Sequence, residues 1–296
     1  MSGAPDLSVV VASVNGFPYL GECLASLERH CGDAEVIVAD WTDEETRERV
    51  RERWPGVKLL SFDEPMTVPE LRAAGVFAAE APYVALIEDH VVVREGWAER
   101  ILDAHRRGYD VAGGPVENVV TGRVRDWAAF FCEYSAFLAP LPSGETYDLP
   151  GMNVSYSRAA IEAIDDLLRE GRWESWLHAR LRERGFRFWS DPDAAIEHAK
   201  DFGLHEFLSQ RYHYSRSYAG MRNPDLGGRR ALYVLGSPAI VPLVYWRTAR
   251  NVLSRGRRRR ELVQATPLIL LYTTVWAFGE AIGYAIGGGR SLLRVR

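Results

Sequence analysis

Short β-branched runs alternate with helical segments through the first hundred residues, and this alternation limits the fold more than any other feature of the chain. Leu7–Ser13 (LSVVVAS) is an apolar strand-like run followed by Asn15-Gly16, and residues 17–29 place Tyr19, Leu20, Cys23, Leu24 and Leu27 at helical spacing. The unit recurs. Strand Glu35–Asp40 precedes a charged helix over 43–53, strand 57–61 a helix over 68–81, and strand 83–87 a helix over Trp97–Arg106. Strands alternating with helices of this length build a parallel sheet covered on both faces, which predicts an α/β protein. Ligands of such sheets gather at the carboxyl ends of the strands, so Ser13, Asp40 and Glu88-Asp89-His90 are expected on one rim.

Downstream, 126–157 holds an aromatic segment (WAAFFCEY), a turn-rich loop (PLPSGETYDLPG) and a short strand NVSYS. Helices over 158–169 and 173–184, the strand FRFWS and a helix from near Gly203 follow. No glycine-rich phosphate loop of either common pattern is present, which argues against a dinucleotide or P-loop enzyme. The three cysteines (Cys23, Cys31, Cys132) are odd in number and lack metal-ligand spacing, so they read as reduced thiols rather than as a disulfide scaffold or zinc module. No basic stretch precedes the first apolar run at Leu7, so no secretory signal is expected and the bulk of the protein is expected inside the cell.

Charge divides the chain more sharply than its total of −4 suggests. From Arg229 onward 12 Arg face only Glu261 and Glu280, a net of +10, leaving −14 for residues 1–228. An acidic body argues against nucleic acid as a partner, whereas a basic, apolar tail suits an anionic membrane surface. The tail holds uncharged runs of 16 residues (231–246, interrupted by Pro238 and Pro242) and 18 residues (262–279). Both are marginal against the ~20 helical residues that span a bilayer. Basic groups follow each run, and a single crossing would put one of them on the wrong side. The consistent expectation is that neither run crosses: both lie in the interface or re-enter on the cytoplasmic face. The same runs would also serve as buried helices or a dimer interface, so a homo-oligomer stays open.

Glu88-Asp89-His90 follow an apolar strand, where three ionisable groups are costly to bury without a partner. Hard carboxylate oxygens suit Mg²⁺ or Mn²⁺ bridged to substrate phosphates. A solvated loop tip explains the run equally well on position alone.

The order VVVASVNGFPYLGECLASL, EVIVADWTDEET, LRAAGVFAAEAPYVALIEDHVVVREGW, LPGMNVSYSR and WESWLHARLRERGFRFWSDPDAAIEH resembles family 2 glycosyltransferases of the GT-A fold over about residues 7–198. The resemblance implies a Rossmann-like, mainly parallel sheet with helices on both faces, to which the C-terminal amphipathic or hydrophobic helices are added. It implies a GT-A catalytic domain over 1–228, with a nucleotide-sugar half to about 115 and an acceptor half beyond, ahead of a membrane-associating tail at 229–296. It carries donor binding to Ser13, Asn15, Asp40, Arg72, Glu88 and Asp89, with Ser13 and Asp40 on the base and Arg72 near the diphosphate. Acceptor contacts fall on Gly151, Asn153 and Trp173, and the catalytic base on Glu174. The metal motif falls on Ile87-Glu88-Asp89 or on Glu88-Asp89-His90, either of which leaves Asp89 beside the metal, and His198 resembles the family's distal His, placed at the metal or at the diphosphate. The implied cofactor is Mn²⁺ or Mg²⁺.

Two departures stand out: no Asp occupies the first place of D-x-D, and Trp173 replaces the acid that precedes the base. The expected activity is metal-dependent, inverting transfer of a sugar from a nucleotide diphosphate, UDP foremost, to a lipid-linked or envelope-polysaccharide acceptor. The tail, with its WAFGEAIGYAIGG ending, resembles exopolysaccharide-type members. The departures also motivate a rival, a catalytically inactive GT-A fold serving as a membrane scaffold.

Overall fold

The computed structural model describes residues 4–295. In chain order the elements are β1 (Leu7–Ser13), α1 (Tyr19–His30), β2 (Glu35–Asp40), α2 (Glu44–Arg53), β3 (Lys58–Ser61), α3 (Val68–Ala78), β4 (Tyr83–Glu88), β5 (Val91–Val93), α4 (Trp97–Arg106), β6 (Val111–Gly113), β7 (Val116–Asn118) and α5 (Val124–Tyr134). Then come β8 (Gly144–Glu145), β9 (Val154–Ser157), α6 (Arg158–Ala163), α7 (Asp165–Arg169), α8 (Glu174–Glu183), β10 (Phe188–Ser190), β11 (Ile196–His198), α9 (Leu204–Leu226), α10 (Arg230–Gly236), α11 (Ile240–Ser254) and α12 (Arg259–Ile286).

The chain forms two compact units. The first, Met1–Val119 with Ala139–Lys200, holds all eleven strands named above. Its main sheet has the order β3-β2-β1-β4-β9-β6-β10-β8, parallel from β3 to β4 and mixed beyond. The strands from β3 to β4 run parallel because α1, α2 and α3 return the chain to the same edge each time, as the alternating sequence requires. β1 is buried at every position, as expected of a strand covered on both faces. A small second sheet, β5-β11-β7, sets His198 beside Val91, directly after the Glu88-Asp89-His90 run. The expected helix over 158–169 breaks in two at Ile164, whose side chain is wholly buried in the main core.

The second unit, Val120–Leu138 with Asp201–Arg296, is helical. The change from acidic to basic composition at 228/229 falls within it. α12 packs on α9, α5, α11 and α10. It approaches α9 closely at Gly279, where a Cβ would lie 2.1 Å from Ser215 Oγ and 2.6 Å from the Tyr212 carbonyl oxygen. α12 is also long and apolar enough to cross a membrane by length and composition, with a mean hydropathy of 1.4 over its most apolar stretch.

Candidate active site

The expected rim is formed. Ser13 pairs in register with Asp40, and Ala12 with Glu88, so the carboxyl ends of β1, β2 and β4 lie side by side. What these residues do there differs from the expectation at several positions.

Asp40 is wholly buried and its carboxylate is committed. It accepts from Ser13 Oγ at 2.8 Å, Thr42 Oγ1 at 2.8 Å, the Thr42 amide at 3.2 Å and Arg47 Nε at 3.0 Å. Ser13 and Asp40 are therefore spent on each other and on Arg47, and neither side chain presents a free group to a nucleobase.

Asp89 departs in the same way. Its Oδ2 accepts from the Val14 and Asn15 amides at 2.9 and 2.6 Å, and its Oδ1 from Asn15 Nδ2 at 2.8 Å and His90 Nδ1 at 3.2 Å. Burial pushes this carboxyl up, but the hydrogen bond and charge of His90, with the Asn15 bonds, outweigh it and hold Asp89 below the ordinary value. Asp89 thus fastens the β1–α1 loop, with no lone pair turned to a metal. Asn15 joins this fastening to the segment after β11, because its Oδ1 accepts from the buried Lys200 at 2.8 Å.

Glu88 is the acid that reaches the rim. Consecutive residues at a strand end point to opposite sides, so Glu88 faces out where Asp89 faces in. Glu88 pairs with Arg72 through Oε1, and its Oε2 lies 3.3 Å from His90 Nε2. The His90 ring meets the His198 ring edge-on, with centroids 4.9 Å apart. Burial first, then the charges of His90 and Lys200, hold His198 well below the ordinary histidine value, so its ring is neutral.

Arg72, buried on α3, also donates from Nη1 to Glu174 Oε2 at 3.1 Å. α3 begins with a reciprocal capping box between Thr67 and Glu70, which fixes its first turn just ahead of Arg72. Glu174 opens α8, with a side chain 25% exposed. Gly151 lies against it: a Cβ there would fall 2.6 Å from Glu174 Cδ, so only glycine lets the preceding loop approach the carboxylate. Asn153 is wholly buried, accepting from Trp97 Nε1 at 2.9 Å and donating to the Ala194 and Pro115 carbonyls at 2.8 and 3.2 Å. It braces the loop from beneath and offers nothing to an acceptor. Trp173 is buried as well, its ring 5.9 Å from the Arg72 guanidinium, so it walls in Arg72 and exposes no face to a sugar.

Among the described residues no group of three or more His, Cys, Asp or Glu is gathered as a metal cage. Glu88 and His90 nevertheless suit a divalent cation. His90 Nδ1 lies 3.2 Å from Asp89 Oδ1 and Nε2 lies 3.3 Å from Glu88 Oε2, and either a proton or a divalent cation on Nε2 satisfies the second contact. Cations of this class take one or two protein ligands and complete their shell with phosphate oxygens, so a closed cage is not required. Lys200 and Arg47 went unnoticed in the sequence. Their only signals are a lysine two residues after His198 and an arginine facing the end of β2 from the first turns of α2.

The chain matches the family model described as Glycosyl transferase family 2 over residues 8–164. No curated protein matches it. Among solved structures it resembles the mannosyltransferase PcManGT from Pyrobaculum calidifontis, in complex with GDP-Man and Mn²⁺, with a TM-score of 0.58 and 14% identity over 94% of this chain and 87% of that one. It also resembles S. aureus TarS 1–349 in complex with UDP-GlcNAc (TM-score 0.51, 16% identity, 92% and 90% covered). A third is GalNAc-T7 with UDP, GalNAc and Mn²⁺ (TM-score 0.51, 14% identity, 65% and 43% covered). These neighbours share the GT-A arrangement of the mostly parallel sheet. With its sheet, its rim and the family match in agreement, the chain belongs to glycosyl transferase family 2.

Proposed function

We propose that this glycosyltransferase moves a sugar from a nucleoside diphosphate donor, UDP foremost, to a lipid-linked or envelope-polysaccharide acceptor at the cytoplasmic face of the membrane, with inversion at the anomeric carbon. The observation that carries the reading is the position of Arg72 between Glu174 and Glu88. One guanidinium spans the acid suited to be a base and the acid suited to a metal-bound diphosphate. Glu174 takes the proton of the acceptor hydroxyl. That oxygen bonds to the anomeric carbon from the face opposite the diphosphate, which leaves with the bonding pair, and attack from that side inverts the carbon. Arg72 then has phosphate oxygens to bind, an exchange its planar fork of donors suits.

Glu88 and His90, with His198, are the residues that would hold Mn²⁺ or Mg²⁺. The ion supplies positive charge to the departing diphosphate. The ligands of the structural neighbours, GDP-Man, UDP-GlcNAc and UDP, with Mn²⁺ in two of the three, support this donor class.

Membrane attachment is assigned to the tail within the helical unit. On α12 the side chains left exposed include Val263, Leu270, Leu271, Thr274 and Phe278, spaced so as to share one uncharged helical face. Leu235 and Trp246 are exposed on α10 and α11, and the arginines at 257–260 lead into α12. A helix apolar inside and out, next to a basic run, fits an anionic interface. α9, the partner along the inner face of α12, carries Arg211, Arg216 and Arg222, which supports an interfacial placement over a crossing.

A screen of nucleotide sugars with Mn²⁺ present, read as nucleotide release with and without lipid-linked acceptor, tests the reading. Acceptor-stimulated release with one donor is expected. Binding without release for every donor would favour the inactive scaffold.

A further inference from the structure

Asp148, His178 and Tyr156 form a hydrogen-bonded chain behind Glu174 to which the reaction above gives no part. His178 lies on α8 four residues after Glu174, so the two side chains leave the same side of the helix. Its ring is wholly buried, with Nδ1 at 2.5 Å from Asp148 Oδ1 and Nε2 at 2.7 Å from the Tyr156 hydroxyl. A carboxylate can only accept, so Nδ1 carries the proton and Nε2 accepts from the Tyr156 O–H. Burial, then the negative charge of Glu174, pushes the Tyr156 hydroxyl well up, which keeps that donor protonated.

The outer end of the chain is in the acceptor-side loop. Asp148 is half-exposed and also accepts from the Leu149 amide at 3.0 Å. Three residues on, Gly151 rests against Glu174 itself. The loop therefore bears on α8 at two points one helical turn apart, at His178 through Asp148 and at Glu174 through Gly151.

We propose that Asp148, His178 and Tyr156 are a clasp that holds the 144–151 loop against Glu174, so that the base meets an acceptor hydroxyl rather than water. His178 is a positioning residue, acting through the loop. The inference rests on the glycosyl-transfer reading. When the clasp opens, water takes the acceptor's place: its oxygen bonds to the anomeric carbon, its proton goes to Glu174, and the diphosphate leaves with the bonding pair. Misplacement of about 1 Å in such a site can cost ~10²-fold in rate, so the effect falls on transfer and not on donor binding.

The test uses the full chain with Asp148→Ala, at a half-exposed position, and Tyr156→Phe, which removes a single oxygen. Hydrogen–deuterium exchange should quicken in 144–153 and the first turn of α8 and stay unchanged in β1–β4. Donor affinity by calorimetry should stay within about twofold, while the ratio of transfer to donor hydrolysis falls about tenfold or more. Unchanged exchange in the loop in both variants would overturn the clasp, as would transfer and hydrolysis falling in parallel. A wild-type protein that binds no nucleotide sugar overturns the glycosyl-transfer reading and the clasp's catalytic role with it. Loop exchange is read without a substrate, so the two failures are told apart.

Discussion

The Arg72 guanidinium donates to Glu174 Oε2 at 3.1 Å, tying α3 to the first turn of α8 across 102 positions of the chain. In the proposed reaction this carboxylate takes the proton of the acceptor hydroxyl. Glu174→Gln is nearly isosteric but cannot take that proton. Turnover should fall about 10²–10⁴-fold with donor affinity little changed. Steady-state kinetics paired with calorimetry checks this, and near-normal turnover would move the role to another acid.

Arg72→Met should weaken nucleotide diphosphate binding rather than chemistry alone. Hydrogen bonds to charged groups contribute about 1.5–3 kcal/mol, so the dissociation constant should rise roughly 10–100-fold. Arg72→Lys keeps the charge but loses the fork that spans Glu88 and Glu174, and should recover only part of the loss. Full recovery with lysine would show that only the charge matters.

Neighbouring acids should separate cleanly. Glu88→Gln should abolish the dependence of nucleotide binding on Mn²⁺ and leave the melting temperature nearly unchanged, because Glu88 is at the rim. Asp89→Ala strips the Val14 and Asn15 amides of their acceptor and should lower stability by about 1–3 kcal/mol for each amide left buried and unpaired. Thermal melts and metal-dependent calorimetry on both variants decide between these roles. Intact metal dependence in Glu88→Gln would return the ligand role to another group.

The sequence showed the periodic part of this fold plainly. Strand and helix alternate from Leu7 to Glu88 because each parallel strand needs a covering helix, and that periodicity is local. The shared rim was legible for the same reason. The inward turn of Asp40 and Asp89 was not, since it depends on Arg47 and on Asn15, groups that meet them only once the sheet has formed. A strand-end acid has the same local signature whether it faces a ligand or a loop amide. Asn153 and Trp173 show the same limit: their burial is set by Trp97, Ala194 and Arg72, on elements remote in sequence. The break at Ile164 had no glycine or proline to announce it.

Acid should destabilise the catalytic unit through His105. This ring is buried against Tyr83 and bonded to Ser155 Oγ at 2.6 Å and the Tyr109 carbonyl at 2.9 Å. Burial lowers its pKa to about 4, against opposing pulls from the Tyr109 carbonyl and Asp110. Between that value and an unfolded value of about 6.5 the unfolded chain binds more protons, so stability rises with pH across this window. The contribution is complete above about pH 6.5 and falls as pH drops toward 4, by about 3 kcal/mol at most. Urea unfolding between pH 4 and 7 should show this slope, and His105→Gln should flatten it.

The full chain should bind anionic vesicles with two separable components. Arginines near an anionic surface contribute about 1 kcal/mol each, and that part is screened over a Debye length of about 8 Å at physiological salt. Replacing Arg257, Arg258, Arg259 and Arg260 by Gln should therefore remove most of the salt-sensitive binding. Apolar burial does not depend on salt, so Val263→Ser with Phe278→Ser, both on the exposed face of α12, should remove the salt-resistant remainder. Neither set touches the Glu88–Arg72–Glu174 group, so nucleotide affinity should hold in both variants. Flotation with phosphatidylserine vesicles across a salt series measures the two components. A chain that stays in solution without detergent and ignores the vesicles would make the exposed face of α12 a contact between copies of the protein. Light scattering would then find a dimer that Phe278→Ser disrupts.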